Sequence, residues 1–230
     1  MLNYDQITSP SQSIHILCDF DGTISLNDTT DLLLNHFAKE GWEDIETQWE
    51  NGLIGSQLCM QKQVELLDMS KSEFLSCLDQ IELDLSFKEL LNFCEKFSLP
   101  ITIVSDGLDL VIEYLLEKHH IHHIPVIANK LIQRSEREWS LEFPNANPLC
   151  IKESGTCKCK VAEQSSRPNI ILIGDGRSDF CLANNAHFVF AKSSLIKYCE
   201  ENNLPFQSIF QISDSIVHLQ QFINLNLAKA

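Results

Sequence analysis

The sequence predicts an α/β fold, a doubly wound parallel sheet with an inserted helical cap domain, and three observations support it. Short apolar runs rich in β-branched residues alternate with amphipathic helical patterns, as expected for a parallel sheet covered by helices on both faces. Several of these runs end in acidic or small polar residues. The first run is followed by a helical stretch of roughly sixty residues without a strand pattern, which predicts an insertion.

The first predicted strand is the run IHILC, which begins at Ile14. Later strands are predicted at 101–105, 124–128, 170–173 and 188–191, with a hairpin strand at 139–143. Ser86 and Glu89 predict a capping box at the start of the helix that precedes the second strand. We therefore expect a Rossmann-like core formed by residues 1–26 and 86–230, and a helical cap formed by residues 27–85.

The composition narrows the classes of partner. The chain has 230 residues and, with 17 basic against 32 acidic residues, a net charge of −15, which disfavours nucleic acid and anionic membrane surfaces. No apolar stretch approaches the roughly 20 residues that cross a bilayer, and the start of the chain does not show a basic patch followed by an apolar core. The nine cysteines are an odd set that is typical of reduced thiols. We expect a cytoplasmic protein, monomeric or homodimeric, that acts on a small molecule.

Two aspartates follow the first predicted strand. Asp19 and Asp21 are two residues apart, so on an extended chain they point to the same side at the strand's carboxyl end, which is where parallel sheets bind ligands. Paired carboxylates favour a hard cation such as Mg²⁺. Gly22 allows a sharp turn, and Thr23 offers a hydroxyl and an amide to an anion. The pattern indicates a metal next to a phosphate group.

Two other predicted strands end in groups that suit the same chemistry. Ser105 and Gly107 follow the second strand, and Asp175 and Asp179 lie in GDGRSD after a later one. These strand ends would meet at one edge of the sheet. Lys160 is the preferred lysine because it adjoins a helical pattern at 161–164, and Lys158 is its competitor. Together these groups predict a site for phosphoryl transfer.

In this order, DxDGT, a strand that ends in serine, a lysine and GDGxxD resemble the signatures of the haloacid dehalogenase superfamily of phosphatases. The signatures span residues 19–179. The helical insertion after the first signature resembles the subgroup with a helical cap, which includes phosphoserine phosphatases and methionine-salvage phosphatases.

The resemblance implies a role for each residue at a matching position. Asp19 would be the nucleophile and Asp21 the general acid and base. Asp19, Asp21 through its carbonyl, and Asp175 would hold Mg²⁺, and Asp179 would orient the lysine or metal-bound water. Ser105 and the Gly107 amide would bind phosphate oxygens, and Lys160 would balance the charge of the aspartyl phosphate.

Substrate choice is expected to lie in the cap. Asp28 occupies the position at which phosphoserine phosphatases carry an acid that meets the substrate amine. Their cap arginine, which clamps a carboxylate, is replaced here by Gln63, and glutamine cannot form that charged bidentate pair. The sequence context of the signatures is more similar to the methionine-salvage phosphatases. Phosphoserine, phosphocholine and phosphoethanolamine remain alternatives.

A signalling receiver domain that carries an aspartyl phosphate is the alternative from another class. Receivers also place clustered acids, a hydroxyl and a lysine on a doubly wound sheet. They lack a helical insertion after the acids, and Asp21 would speed the loss of a phosphate that signalling requires to persist. The sequence therefore favours the enzyme.

Overall fold

The computed structural model describes residues 14–227. Its strands are β1 (Ile14–Cys18), β2 (Ile101–Leu108), β3 (Val126–Gln133), β4 (Trp139–Glu142), β5 (Asn169–Gly174), β6 (Phe188–Ala191) and β7 (Phe206–Ser208). Its helices are α1 (Thr29–Phe37), α2 (Trp42–Glu50), α3 (Ser56–Glu65), α4 (Lys71–Leu78), α5 (Phe87–Lys96), α6 (Asp109–Lys118), α7 (Lys158–Glu163), α8 (Phe180–Ala183), α9 (Ser193–Glu201) and α10 (Asp214–Leu227).

The strands form a sheet in the order β4-β3-β2-β1-β5-β6-β7. β1 pairs in parallel with β2 and with β5, and the pairs β5–β6 and β6–β7 are also parallel. The chain therefore builds the sheet first on one side of β1 and then on the other, which confirms the prediction of a doubly wound sheet. β4 pairs antiparallel with β3, as the hairpin pattern predicted.

Contacts divide the chain into two compact units. The second unit comprises Ser25–Glu82 and Val104–Cys157, and the first comprises the other described residues. β2 begins in the first unit and ends in the second. The segment predicted as a cap, 27–85, contains α1 to α4, as its helical pattern predicted. Because the second unit also includes residues 104–157, the predicted cap and core boundaries stay a prediction, and residues 1–13 lie outside the described part of the chain.

The central strands of the first unit are apolar on both faces. Ile16 and Leu17 of β1 are buried, as are all six residues of β5. A strand with helices above and below needs such an uninterrupted apolar run rather than an alternating one. Each large side chain buried here contributes roughly 1.5–3 kcal/mol. The first unit therefore has a rigid base from which the loops after its strands project.

The predicted capping box at Ser86 is wrong. Ser86 has helical backbone angles and makes no capping bond. Its hydroxyl instead donates to Asp84 at 2.6 Å and accepts from the Ser213 amide at 3.0 Å, and the Glu89 amide donates to the Ser86 backbone carbonyl at 3.0 Å. A capping box is present at Ser70 and Glu73, at the start of α4.

None of the helices in the described residues combines the length and apolar content needed to cross a membrane.

The capping box predicts the effect of substituting Ser70. Ser70→Ala removes the hydroxyl that accepts from the Glu73 amide, so the free energy of unfolding falls by about 1 kcal/mol. Urea unfolding followed by circular dichroism measures the change. Ser70→Thr retains the hydroxyl and serves as the matched control. Equal losses in the two variants would show that the cap contributes nothing.

Candidate active site

Asp19 lies directly after β1 and is held from two sides. Its amide donates to the Ile173 carbonyl of β5 at 2.9 Å, and its carboxylate oxygen Oδ1 accepts from the Phe20 amide at 2.8 Å. Only 4% of the residue is exposed. The strand ladder therefore fixes the position of Asp19, and the turn that follows fixes the orientation of its carboxylate.

Two glycines permit the close approach of the acidic residues. Gly22 has φ +69°, and a Cβ atom at this position would clash with the Asp175 carboxylate. A Cβ atom at Gly174 would clash with the Asp179 carboxylate. A larger residue at either position would force the loops apart. The glycines of DFDGT and GDGRSD are therefore needed to bring the carboxylates together.

Three carboxylates form the group that can hold a cation. Asp19, Asp175 and Asp179 each offer an oxygen, and these oxygens lie within 4.8 Å of one another. Asp19 and Asp179 are buried, whereas Asp175 is half-buried. Burial and the neighbouring charges of Asp179 and Asp175 raise the pKa of Asp19 well above its usual range, and Lys158 opposes that rise. Since like charges at this distance repel, the group requires positive charge.

Asp21, the remaining acid of the predicted metal set, contributes no carboxylate oxygen to this group. Asp21 is half-buried in the turn after Asp19. The resemblance implies that Asp21 contacts the metal through its backbone carbonyl. The absence of its carboxylate from this group does not contradict that prediction.

Lys158 supplies positive charge at the carboxylates. Its amine lies 2.8 Å from Asp19 Oδ1 and 2.7 Å from Asp179 Oδ1, and it donates to Ser178 Oγ at 3.0 Å. Burial alone would lower the pKa of Lys158, but the charges of Asp179 and Asp19 raise it above its usual range. The amine therefore stays protonated across the neutral pH range.

The geometry favours Lys158 over the predicted Lys160 as the lysine of the site. Lys160 is half-buried, two residues further along α7. The sequence argument selected the lysine that adjoins the start of a helical pattern at 161–164. Helix α7 begins three residues earlier, at Lys158, so that argument applied to the observed helix selects Lys158.

Asp179 organises the loop after β5. It is fully buried, and its Oδ2 accepts from the Asp175 amide at 3.1 Å and the Gly176 amide at 3.4 Å. Its other oxygen contacts Lys158. Asp179 thus connects the backbone of GDGRSD to Lys158, and its role in orienting the lysine or metal-bound water stays a prediction.

The second unit contains the predicted phosphate ligands at the end of β2. Ser105 is buried, and its hydroxyl accepts from the Gly107 amide at 2.9 Å. The two residues predicted to bind phosphate therefore contact each other. Their role as phosphate ligands stays a prediction.

Asp106, which the sequence analysis did not single out, has an extensive set of partners within the second unit. Its carboxylate accepts from the Ser56 hydroxyl, the Asn129 amide group at 3.1 Å and the Thr156 backbone amide at 2.8 Å. Thr156 lies two residues before Lys158 in the chain. Asp106 therefore fixes the end of β2, the start of α3 and the segment that leads into α7. An Asp between Ser105 and Gly107 was the only sequence signal for it.

Asp28 and Gln63 have structural partners in the second unit. Asp28 caps α1, because its Oδ1 accepts from the amides of Thr30 at 2.9 Å and Asp31 at 3.0 Å. Gln63 is buried and donates to Glu46 at 2.8 Å. Partial burial and the charges of Asp28, Glu46 and Glu50 raise the pKa of Asp31 to about 7. This part of the unit is strongly acidic.

The sequence matches the haloacid dehalogenase-like hydrolase family over residues 16–184. The match includes both aspartate-rich loops, Ser105 and Lys158. The chain therefore belongs to this family and is an enzyme of the hydrolase class, which removes support for the receiver alternative.

Curated relatives match along nearly their whole length. The polyol phosphate phosphatase PYP1 of Saccharomyces cerevisiae is 27% identical over 229 residues, covering 90% of this chain and 93% of the relative. The 2-hydroxy-3-keto-5-methylthiopentenyl-1-phosphate phosphatase of Exiguobacterium sp. is 29% identical over 211 residues, covering 87% and 96%. The prediction of a phosphatase of this superfamily is thus confirmed at the level of the family and its relatives.

Solved structures support the fold. A phospho-aspartyl intermediate analogue of phosphoserine phosphatase superposes with a TM-score of 0.67 at 20% identity, covering 90% of this chain and 98% of that one. Phosphoserine phosphatase from T. onnurineus gives a TM-score of 0.66 at 14% identity, covering 93% and 96%. At these identities the similarity establishes the fold alone.

The geometry predicts different effects for the two lysines. Lys158→Met leaves two buried carboxylates without their cation, so the free energy of unfolding falls by about 3 to 5 kcal/mol. Lys160→Met, on the same helix, leaves the Lys158 contacts with Asp19 and Asp179 in place and is expected to lower the free energy of unfolding by less than Lys158→Met does. Urea unfolding of both variants without added metal measures the difference. Comparable losses would contradict the assignment of the ion cluster to Lys158.

Proposed function

We propose that the protein is a Mg²⁺-dependent phosphomonoester hydrolase that transfers phosphate from a small metabolite to Asp19 and then to water. The observation that carries the proposal is the contact of the buried Lys158 amine with both Asp19 and Asp179, beside Asp175. A carboxylate held in a fixed orientation and partly neutralised by an adjacent cation suits attack on a phosphorus atom.

The donor set fits Mg²⁺. Carboxylate oxygens of Asp19 and Asp175 lie within 4.8 Å of each other, and carboxylate oxygen is a ligand type that this ion prefers. We assign the ion to Asp19, Asp175 and the Asp21 carbonyl, with Asp179 orienting Lys158. When bound, the ion would neutralise charge between the carboxylate and the phosphate dianion.

The proposed reaction has two steps, transfer of the phosphoryl group to Asp19 and then to water. Asp19 attacks phosphorus while Asp21 donates a proton to the leaving alcohol oxygen, so that the P–O bond breaks and an aspartyl phosphate forms. Asp21, now ionised, accepts a proton from water as the water attacks the same phosphorus and releases Asp19. Lys158 stabilises the negative charge throughout. Ser105 and Gly107 would bind non-bridging oxygens of the phosphoryl group that is transferred.

We assign 2-hydroxy-3-keto-5-methylthiopentenyl-1-phosphate as the leading substrate, with a polyol phosphate as the second candidate. The relatives named for these compounds support the assignment. The Gln63–Glu46 hydrogen bond also supports it, because the position expected to clamp a carboxylate holds a neutral side chain paired with an acid. Both candidates carry an uncharged, oxygen-bearing carbon chain. Phosphoserine, with its carboxylate, fits these surroundings less well.

The surroundings of Asp28 support a different group of substrates. Both of its capping bonds use Oδ1, so its carboxylate is oriented by the helix that it caps. The acidic side chains near Asp28 would attract a substrate that carries a positively charged nitrogen. Phosphocholine and phosphoethanolamine carry such a group and therefore stay among the compounds to test. A cytoplasmic location and a monomeric or homodimeric state remain predictions.

Phosphate release from a panel of compounds tests the proposal. The panel contains p-nitrophenyl phosphate, phosphoserine, phosphocholine, phosphoethanolamine, glycerol phosphate as a polyol phosphate, and the methylthiopentenyl phosphate. We expect Mg²⁺-dependent release, fastest with the last compound, and a loss of at least about 1000-fold in Asp19→Asn.

Thermal unfolding of Asp19→Asn must show that the variant is folded. Release that persists in this variant or is unaffected by chelation would contradict the proposed chemistry. Preference for phosphoserine would contradict the substrate assignment alone.

A further inference from the structure

Two cysteine thiols lie against each other in the first unit. The sulfur atoms of Cys159, on α7, and Cys181, on α8, are 3.2 Å apart. Both side chains are half-buried, and neither cysteine is part of a disulfide bond. A disulfide bond has a sulfur–sulfur distance of about 2.05 Å, so the two sulfurs need to approach by roughly 1.2 Å to form one.

We propose that Cys159 and Cys181 are a site of reversible oxidative modification, at which a low-molecular-weight disulfide drives formation of an intramolecular disulfide bond. The cysteine at which oxidation begins must be accessible, and its partner must be near. Cys150 is the other half-buried cysteine. Its thiol donates to Ser154 Oγ at 3.7 Å and also makes a side-chain hydrogen bond with Cys157, which is buried. Cys159 and Cys181 differ from this pair because both of their thiols are half-buried, so the exchange can begin at either one.

The chemistry balances through two exchange reactions. One protein thiolate attacks a sulfur of the oxidant, whose disulfide bond breaks, so that a mixed disulfide forms and one small thiolate leaves. The second protein thiolate attacks the mixed disulfide at the protein sulfur and displaces the other small thiolate. The two cysteines lose two electrons, the oxidant gains them, and the two cysteine protons end on the released thiols. A dithiol reverses both steps.

Both cysteines are close in sequence to residues of the candidate active site. Cys159 directly follows Lys158, and Cys181 lies two residues after Asp179. Closing the disulfide draws α7 and α8 together beside the Lys158–Asp179 contact of 2.7 Å. Hydrogen-bond geometry tolerates only a few tenths of an ångström, and a displacement of about 1 Å at an active site can cost about 100-fold in rate. We therefore expect the oxidised enzyme to be impaired. This consequence rests on the proposed function, whereas formation of the disulfide does not.

The test is oxidation of the full-length native protein with excess glutathione disulfide, followed by thiol blocking, proteolysis and mass spectrometry. We expect a cross-linked peptide pair that joins Cys159 to Cys181, and phosphate release at least about tenfold slower that recovers with dithiothreitol. Cys150→Ser should form the same cross-link. Cys159→Ser and Cys181→Ser should each abolish the cross-link, and each variant should release phosphate at the same rate with and without the oxidant.

Three results would overturn the inference. A stable glutathione adduct without a cross-link, or a Cys150–Cys157 cross-link in place of the expected one, would contradict the modification site. An unchanged rate in the fully cross-linked protein would contradict its effect on the active site. Absence of phosphate release in the reduced protein would instead contradict the proposed function, because the peptide readout does not depend on activity.

Discussion

The site of this enzyme depends on one buried interaction, in which the Lys158 amine contacts the carboxylates of Asp19 and Asp179. All three side chains are almost fully removed from water, so each charge would be costly alone. Their mutual contacts compensate part of that cost and fix the geometry. The group retains an excess of negative charge, since Asp175 lies beside it. An excess of this kind is what a divalent cation would neutralise.

The architecture supplies these charges from separate parts of the chain. β1 and β5 are adjacent parallel strands, so the loops that carry Asp19 and Asp179 begin at the same edge of the sheet. Lys158 comes from α7, which begins after the long segment that includes the second unit. Within that unit, Asp106 fixes both the end of β2 and the Thr156 backbone. The backbone of the second unit just before α7 is therefore held by hydrogen bonds within that unit.

The sheet and the acidic loops could be predicted because their determinants are local: apolar runs of fixed period, followed by aspartates and glycines with defined spacing. The lysine could not be fixed in this way. Choosing between Lys158 and Lys160 required the first residue of a six-residue helix, and helix boundaries are poorly determined by pattern. Asp106 was missed because its partners, Ser56, Asn129 and Thr156, lie far from it in sequence. Ser86 was assigned as a cap because the pattern could not show that its hydroxyl would accept from the distant Ser213 amide instead of from Glu89.

Trapping the covalent intermediate tests the central claim most directly. The enzyme would be mixed with the fastest substrate of the panel and Mg²⁺, quenched with acid at successive times, and digested for peptide mapping. The account predicts a phosphorylated peptide with the phosphate on Asp19, which appears before free phosphate accumulates and then decays. Phosphate on another residue, or steady turnover without any covalent phosphate, would contradict it.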